Sequence, residues 1–265
     1  MKHYFYLLFI AVLLSSCSEN SDDEPPTSGA LLIKEIRMMA IDPDDDDEII
    51  TYNYEGNRLI DRRYTDGSLM NEYLYENDRL SRINFYEEDA PNVLRAFTTF
   101  AYDGSGQLTQ YIVHVYTLFG SESAIRSELT YNADGTEIQS NQYIGNFQTQ
   151  TIAGVSLSYT FANGNLMRED YDVADFDTDY FYDGQNGIHK NIEFINILNM
   201  LDQNYGALEG GQNNLIKKDI RTGSSNVLTE SYTYTYNAQG YPETGQFLEA
   251  GNVYYNLQFS YVNAQ

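Results

Sequence analysis

Tyr75-Glu76-Asn77-Asp78-Arg79-Leu80 sets an aromatic residue at the end of an alternating run, a polar turn, and an aliphatic residue just beyond it. The pattern returns at Tyr54–Leu59, Tyr102–Leu108, Tyr131–Ile138, Phe161–Leu166, Tyr182–Ile188 and Tyr236–Tyr241. The copies start 21 to 54 residues apart, so the unit is elastic and its length changes fall in the loops away from the motif.

Each copy reads as a β-hairpin. The residues before the turns alternate, as in Leu157-Ser-Tyr159-Thr-Phe161 and Tyr232-Thr-Tyr234-Thr-Tyr236, and period two with Tyr, Phe and Thr marks a strand with one buried face. Asn-Gly, Asp-Gly, Asn-Asp and Gln-Gly supply the positive φ that tight turns need. Leu59, Leu80, Leu108, Ile138, Leu166 and Ile188 then re-enter the buried face. Leu31–Ala40 reads as the first strand and Leu257–Tyr261 as the last.

About fourteen such strands in hairpin order make an antiparallel meander, which must curl or gain a second layer to cover its apolar face. The expected fold is therefore all-β, a curled sheet or half-closed barrel. The long gap between the sixth and seventh copies carries Ile192, Phe194, Ile195, Ile197, Leu198 and Leu201 at helical spacing, between Asn191 and Gly206. It predicts one helix, about 190–206, packed on the concave face.

Outside the repeats, Met1-Lys2-His3 precedes the apolar run Tyr4–Leu14 and then Ser15-Ser16-Cys17, the plan of a signal peptide over 1–16. Eleven apolar residues are too few to span a bilayer as a helix. Leu14-Ser15-Ser16-Cys17 resembles a bacterial lipobox, which implies cleavage before Cys17 and lipid on its sulfur and new amino terminus. Ser18 after the Cys resembles outer-membrane sorting. Ser21-Asp22-Asp23-Glu24 resembles the acidic export tag of Bacteroidetes surface lipoproteins. Residues 17–29, with Pro25-Pro26 and no apolar period, also read as a solvated linker. The β-repeat domain then occupies 30–265.

The spaced Tyr-turn-Leu units, from about residue 50 to 261, resemble the YD repeats of Rhs and teneurin shells. Together with the lipobox, the chain resembles YD-repeat-like lipoproteins of unknown function from Bacteroidetes. That resemblance implies a fold and a place in the cell envelope, and no reaction.

Composition narrows the function. The chain of 265 residues has 15 Lys and Arg against 39 Asp and Glu, a formal charge of −24, which argues against a nucleic-acid partner and against docking on anionic lipid. Its single Cys excludes an intrachain disulfide and any Cys-based zinc cluster. The two histidines beyond the leader, His114 within a strand pattern and His189 after a turn, have no locatable catalytic partner, and neither GxSxG nor HExxH occurs.

Two acidic stretches are candidates for calcium, which needs several oxygen ligands on a loop. Asp42-Pro-Asp44-Asp45-Asp46-Asp47-Glu48 lies between the first two strands, and Asp44, Asp46 and Glu48 are its candidate ligands against a reading as a solvated hairpin loop. Asp175-Phe-Asp177-Thr-Asp179 opens like an EF-hand but has Tyr180 where that loop needs Gly. The 25 Tyr suit half-buried strands, and Tyr254-Tyr255 must place one ring outward, where it could stack on a glycan or peptide.

The leading expectation is a non-catalytic outer-membrane lipoprotein, exposed at the cell surface or otherwise on the periplasmic face, that acts as a binding or accessory module for an unidentified glycan or protein. A carboxylate-based envelope enzyme such as a glycoside hydrolase is the alternative, since 39 acids readily yield a facing pair. A structural envelope element or small outer-membrane barrel is the third, opposed by the Arg, Asp, Asn and Glu at outward strand positions.

Overall fold

The computed structural model describes residues 30–88, 90, 93–116, 122–173, 176–201, 208–223 and 227–264. The signal peptide, Cys17, the tag Ser21, Asp22, Asp23 and Glu24, and also Asp175 and Gly206, lie outside the described residues.

Among the described residues the chain forms β1 (Leu31–Ala40), β2 (Glu48–Glu55), β3 (Arg58–Arg63), β4 (Leu69–Glu76), β5 (Arg79–Tyr86), β6 (Leu94–Tyr102), β7 (Leu108–Tyr116) and β8 (Glu122–Tyr131). It continues with β9 (Glu137–Gly145), β10 (Gln150–Ala162), β11 (Asn165–Tyr171), β12 (Phe176–Tyr182), β13 (Leu215–Thr222), β14 (Val227–Tyr236), β15 (Pro242–Glu249) and β16 (Asn252–Asn263). Each strand pairs antiparallel with the next, and β16 pairs with β1 from Leu31↔Asn263 to Ala40↔Tyr255, so the sheet is a closed barrel.

Closure corrects the expectation of a curled sheet or half-closed barrel. Alternation in sequence says which side chains face in, but the pairing of the first strand with the last is non-local and leaves no mark in any one hairpin. Pairing those two strands satisfies the backbone groups that an open sheet would leave along both edges.

The predicted helix over 190–206 is corrected as well. Among the described residues only α1 (Ile195–Leu198) is α-helical, and Phe194 at its start is held in the left-handed region at φ 63. Groups that would serve a longer helix are engaged by the barrel wall instead: Glu193 N donates to the Asn57 carbonyl at 3.0 Å, and the Asn191 amide donates to the Leu31 carbonyl at 2.8 Å. Ile192, Ile195, Leu198, Met200, Leu201 and Leu208 are still buried, in one cluster with Leu59, Tyr73, Leu80, Tyr111, Leu157 and Tyr159 of the wall. This β12–β13 insertion therefore fills the barrel at the end where the motif turns lie. Ile188 belongs to it, and Leu215 takes the place expected of Ile188 at the start of the returning strand.

The motif turns and the start of β1 share that end, and the acidic β1–β2 turn is at the other. Asn77 and Asp78 take φ 51 and 60, the left-handed pair that a two-residue hairpin turn requires. In most of these hairpins a β-bulge falls just before the motif aromatic, between Asn53 and Tyr54, Leu74 and Tyr75, Ala101 and Tyr102, Thr160 and Phe161, and Phe181 and Tyr182. The extra residue lies on the returning strand. It moves the next inward position from two to three residues beyond the motif Leu, which puts Arg62, Ile83, Tyr111, Glu169 and Lys218 inside.

The outer wall is charged at mid-strand. Arg168 meets Asp177 at 3.3 Å and Asp179 at 2.7 Å, Arg221 meets Asp179 at 2.7 Å, and Lys217 meets Asp219 at 2.7 Å. Arg63 meets Asp61 at 2.9 Å, and Arg126 pairs with Glu128. A lipid-facing wall presents an apolar band on which a mid-height Arg or Lys costs about 2–4 kcal/mol, so this wall is suited to water. No helix among the described residues is long and apolar enough to cross a membrane.

Candidate functional site

Between the insertion and the wall made by β7 to β14 lies an interior cavity of 510 Å³. Tyr111, Tyr159, Tyr171, Tyr180 and Tyr182 line it, with Val113, Leu157 and Ile220 among the aliphatic residues. Glu169 of β11, Lys218 of β13, Glu230 of β14 and Glu209 of the insertion all reach it. They arrive by register: Tyr159 lies opposite Glu169, Tyr180 opposite Lys218, and Lys218 opposite Glu230.

Lys218 is 5% exposed, and its Nζ meets Glu209 Oε1 and Glu230 Oε2, each at 2.7 Å. Burial works against its charged form, but the two carboxylates outweigh burial and raise its pKa above the ordinary lysine value. The Tyr111 and Tyr159 hydroxyls lie 3.2 Å apart, and Tyr159 donates to the Met200 carbonyl at 3.1 Å, tying the wall to the insertion. Burial, followed by the nearby Glu169 and Glu209 charges, holds Tyr180 far above the usual phenol range. The cavity thus offers neutral aromatic faces with three carboxylates and one ammonium. Such a set can stack on a ring and hydrogen-bond its hydroxyls.

The candidates from the sequence lie elsewhere. His114 is on the outer wall, stacked on Phe97 at 4.2 Å and edge-on to Phe147 at 4.9 Å, with its pKa lowered by burial and then by Arg82. His189 is in the insertion. Its Nδ1 lies 2.7 Å from the Glu209 carbonyl, and burial above all depresses its pKa to about 4. Asp44 and Asp46 are exposed in the β1–β2 turn and Glu48 is exposed at the first position of β2, and no group of three metal-ligating side chains is gathered among the described residues. Asp177 and Asp179 are taken up by Arg168 and Arg221 on the outer wall. Tyr254 is the outward member of its pair, exposed on β16.

The four charged residues of the cavity were not singled out from the sequence. One signal was present: in Leu228-Thr-Glu230-Ser-Tyr232-Thr-Tyr234, Glu230 occupies an inward step of an apolar alternation.

No protein-family model matches the chain, and no curated protein matches it. Solved structures do match. One, a porin-like protein from Bacteroides uniformis ATCC 8492, is similar over 87% of this chain and 98% of that one, with a TM-score of 0.47 and 12% identity. A likeness of that degree transfers no function to this chain.

Proposed function

We propose that the protein is a YD-repeat-like outer-membrane lipoprotein, anchored through Cys17 and exported by its acidic tag, whose barrel is a non-catalytic binding module for a short glycan. The observation that carries the ligand class is the interior cavity. Five Tyr rings and four charged side chains surround 510 Å³, within the range of small-molecule sites. Tyr faces stack on sugar rings, and carboxylates accept from sugar hydroxyls. The charged outer wall supports a domain held in water beside the membrane by its lipid, rather than one threaded through it.

Saturation-transfer NMR of residues 30–265 against a panel of host, dietary and bacterial oligosaccharides tests the reading. Transfer to one glycan class, lost in Tyr180→Ala and Glu169→Gln, is expected. Silence across the panel, or binding unchanged in both variants, overturns it. Protease shaving of intact cells, with Asp22/Asp23/Glu24→Ala alongside, tests surface exposure, and metabolic labelling with an alkynyl fatty acid, lost in Cys17→Ala, tests the anchor.

One observation favours a second reading. Glu169, Glu209 and Glu230 converge on a single cavity, as a carboxylate-based glycoside hydrolase requires. Hydrolysis of a bound glycan that Glu169→Gln or Glu209→Gln abolishes would replace the binding role with that one.

A further inference from the structure

Arg62 carries a buried charge that the described residues leave uncompensated. Bulge-shifted onto the inner face of β3, it is 8% exposed, and arginine does not lose its proton in proteins. Among the described residues no carboxylate lies within ion-pairing distance of it. Its neighbour Asp61 is on the opposite face of the strand, where it pairs with Arg63. Arg62 is also absent from the lining of the glycan cavity, whose single Lys is itself paired with two Glu.

Its partners among the described residues are neutral. Nε and Nη2 both donate to Asn71 Oδ1, at 3.0 and 2.6 Å, and the Tyr52 and Tyr73 phenols are close enough to favour the charged guanidinium. A buried charge with only neutral partners costs several kcal/mol.

The surroundings add donors that lack an acceptor. Donation from Arg62 fixes the Asn71 amide with its oxygen toward the guanidinium, so its NH2 must point elsewhere. Asn71 is fully buried, and that Nδ2 has no partner. The Tyr54 hydroxyl, on the same inner face of β2 as Tyr52, is buried and unpartnered too. A water molecule could accept from these groups, but it would leave the charge uncompensated.

We infer that the barrel interior holds a small monoanion, of halide or formate size, between the Arg62 guanidinium and the Asn71 amide, within reach of Tyr54. The anion supplies both the missing charge and the missing acceptor. This site is separate from the glycan cavity and stands whether or not that cavity binds sugar.

Crystals of residues 30–265 grown without halide and soaked in sodium bromide test it directly. An anomalous bromide peak within contact distance of Arg62 and Asn71 Nδ2 is expected, and formate added at equal concentration should weaken it. In solution, chloride NMR linewidth should show excess broadening that falls at least fivefold in Asn71→Leu and in Arg62→Met. Asn71→Leu keeps the charge and removes the orienting amide, so it remains informative if Arg62→Met fails to fold. A water molecule or empty density beside Arg62, in crystals with bromide bound elsewhere on the surface, overturns the inference. So does broadening that is equal in wild type and both variants.

Discussion

The Tyr75 hydroxyl donates to the Leu59 carbonyl at 2.9 Å, so the motif aromatic of one hairpin is tied to the motif aliphatic of the hairpin before it. Tyr102 does the same to Leu80 at 2.8 Å, Tyr131 to Leu108 at 2.7 Å and Tyr182 to Leu166 at 2.7 Å. The β-bulge leaves a carbonyl out of regular register at each of these points, and the hydroxyl answers it. This gives a physical reason for Tyr, rather than Phe or Leu, at the head of the repeat.

Tyr75→Phe keeps the ring and deletes the donor, so it should cost about 1 kcal/mol in urea unfolding. Tyr102→Phe should cost about the same, and the double variant should be near additive if each bond serves its own pair of hairpins. The chain tolerates one such loss naturally, at Phe161.

Gly245 lies opposite Tyr234 across β14 and β15, and a Cβ there would come within 2.5 Å of the Thr233 carbonyl and 2.9 Å of the Tyr234 ring. Backbone cannot yield as a flexible side chain can. Gly245→Ala should therefore lose about 1–3 kcal/mol, although a strand interior ordinarily prefers alanine to glycine. A lower urea midpoint with unchanged slope would register it.

His189 is held neutral by burial, with a pKa near 4 in the fold against 6.5 as the ordinary value. Between those two values the unfolded chain takes up a proton that the native chain refuses. Stability should therefore be full above pH 6.5 and decline as pH falls toward 4, by on the order of 3 kcal/mol. His189→Gln should flatten that part of a stability-against-pH curve from denaturant titrations.

Lys218 joins Glu209 and Glu230 inside the barrel, and its replacement by Met leaves two carboxylates facing each other without a cation. The expected cost is about 3 kcal/mol near neutral pH. Thermal melts at neutral pH should show it as a lowered midpoint, and Lys218→Arg, which keeps the cation, should recover part of the loss.

The hairpins were legible because their signals are local: Asn77-Asp78 marks its own turn, and Tyr232-Thr-Tyr234-Thr-Tyr236 its own strand. Closure was not, because Leu31 and Asn263 are at opposite ends of the chain. The spacing over 190–206 overstates the helix, since spaced aliphatics can be buried as a run of turns once a wall supplies partners such as the Asn57 carbonyl. The site was hidden by the bulge. Simple alternation from Leu59 puts Asp61 and Arg63 inside, whereas the extra residue sends Arg62 inward and leaves that acid out. The same one-residue slip delivers Glu169 and Lys218 to the cavity.

Every strand pairing but one joins neighbours along the chain, and the exception is the β1–β16 seam. The molecule therefore works like a zip with a single clasp. A chain whose hairpins have formed but whose clasp is undone carries two free, mutually complementary edges. It can close on itself or hand one edge to another molecule, and both choices use the same hydrogen bonds. Dilution thus favours the ring and crowding favours the strand-swapped polymer. Ile33, Ile36 and Leu257, which bury the clasp on its inner side, help decide whether this chain stays single.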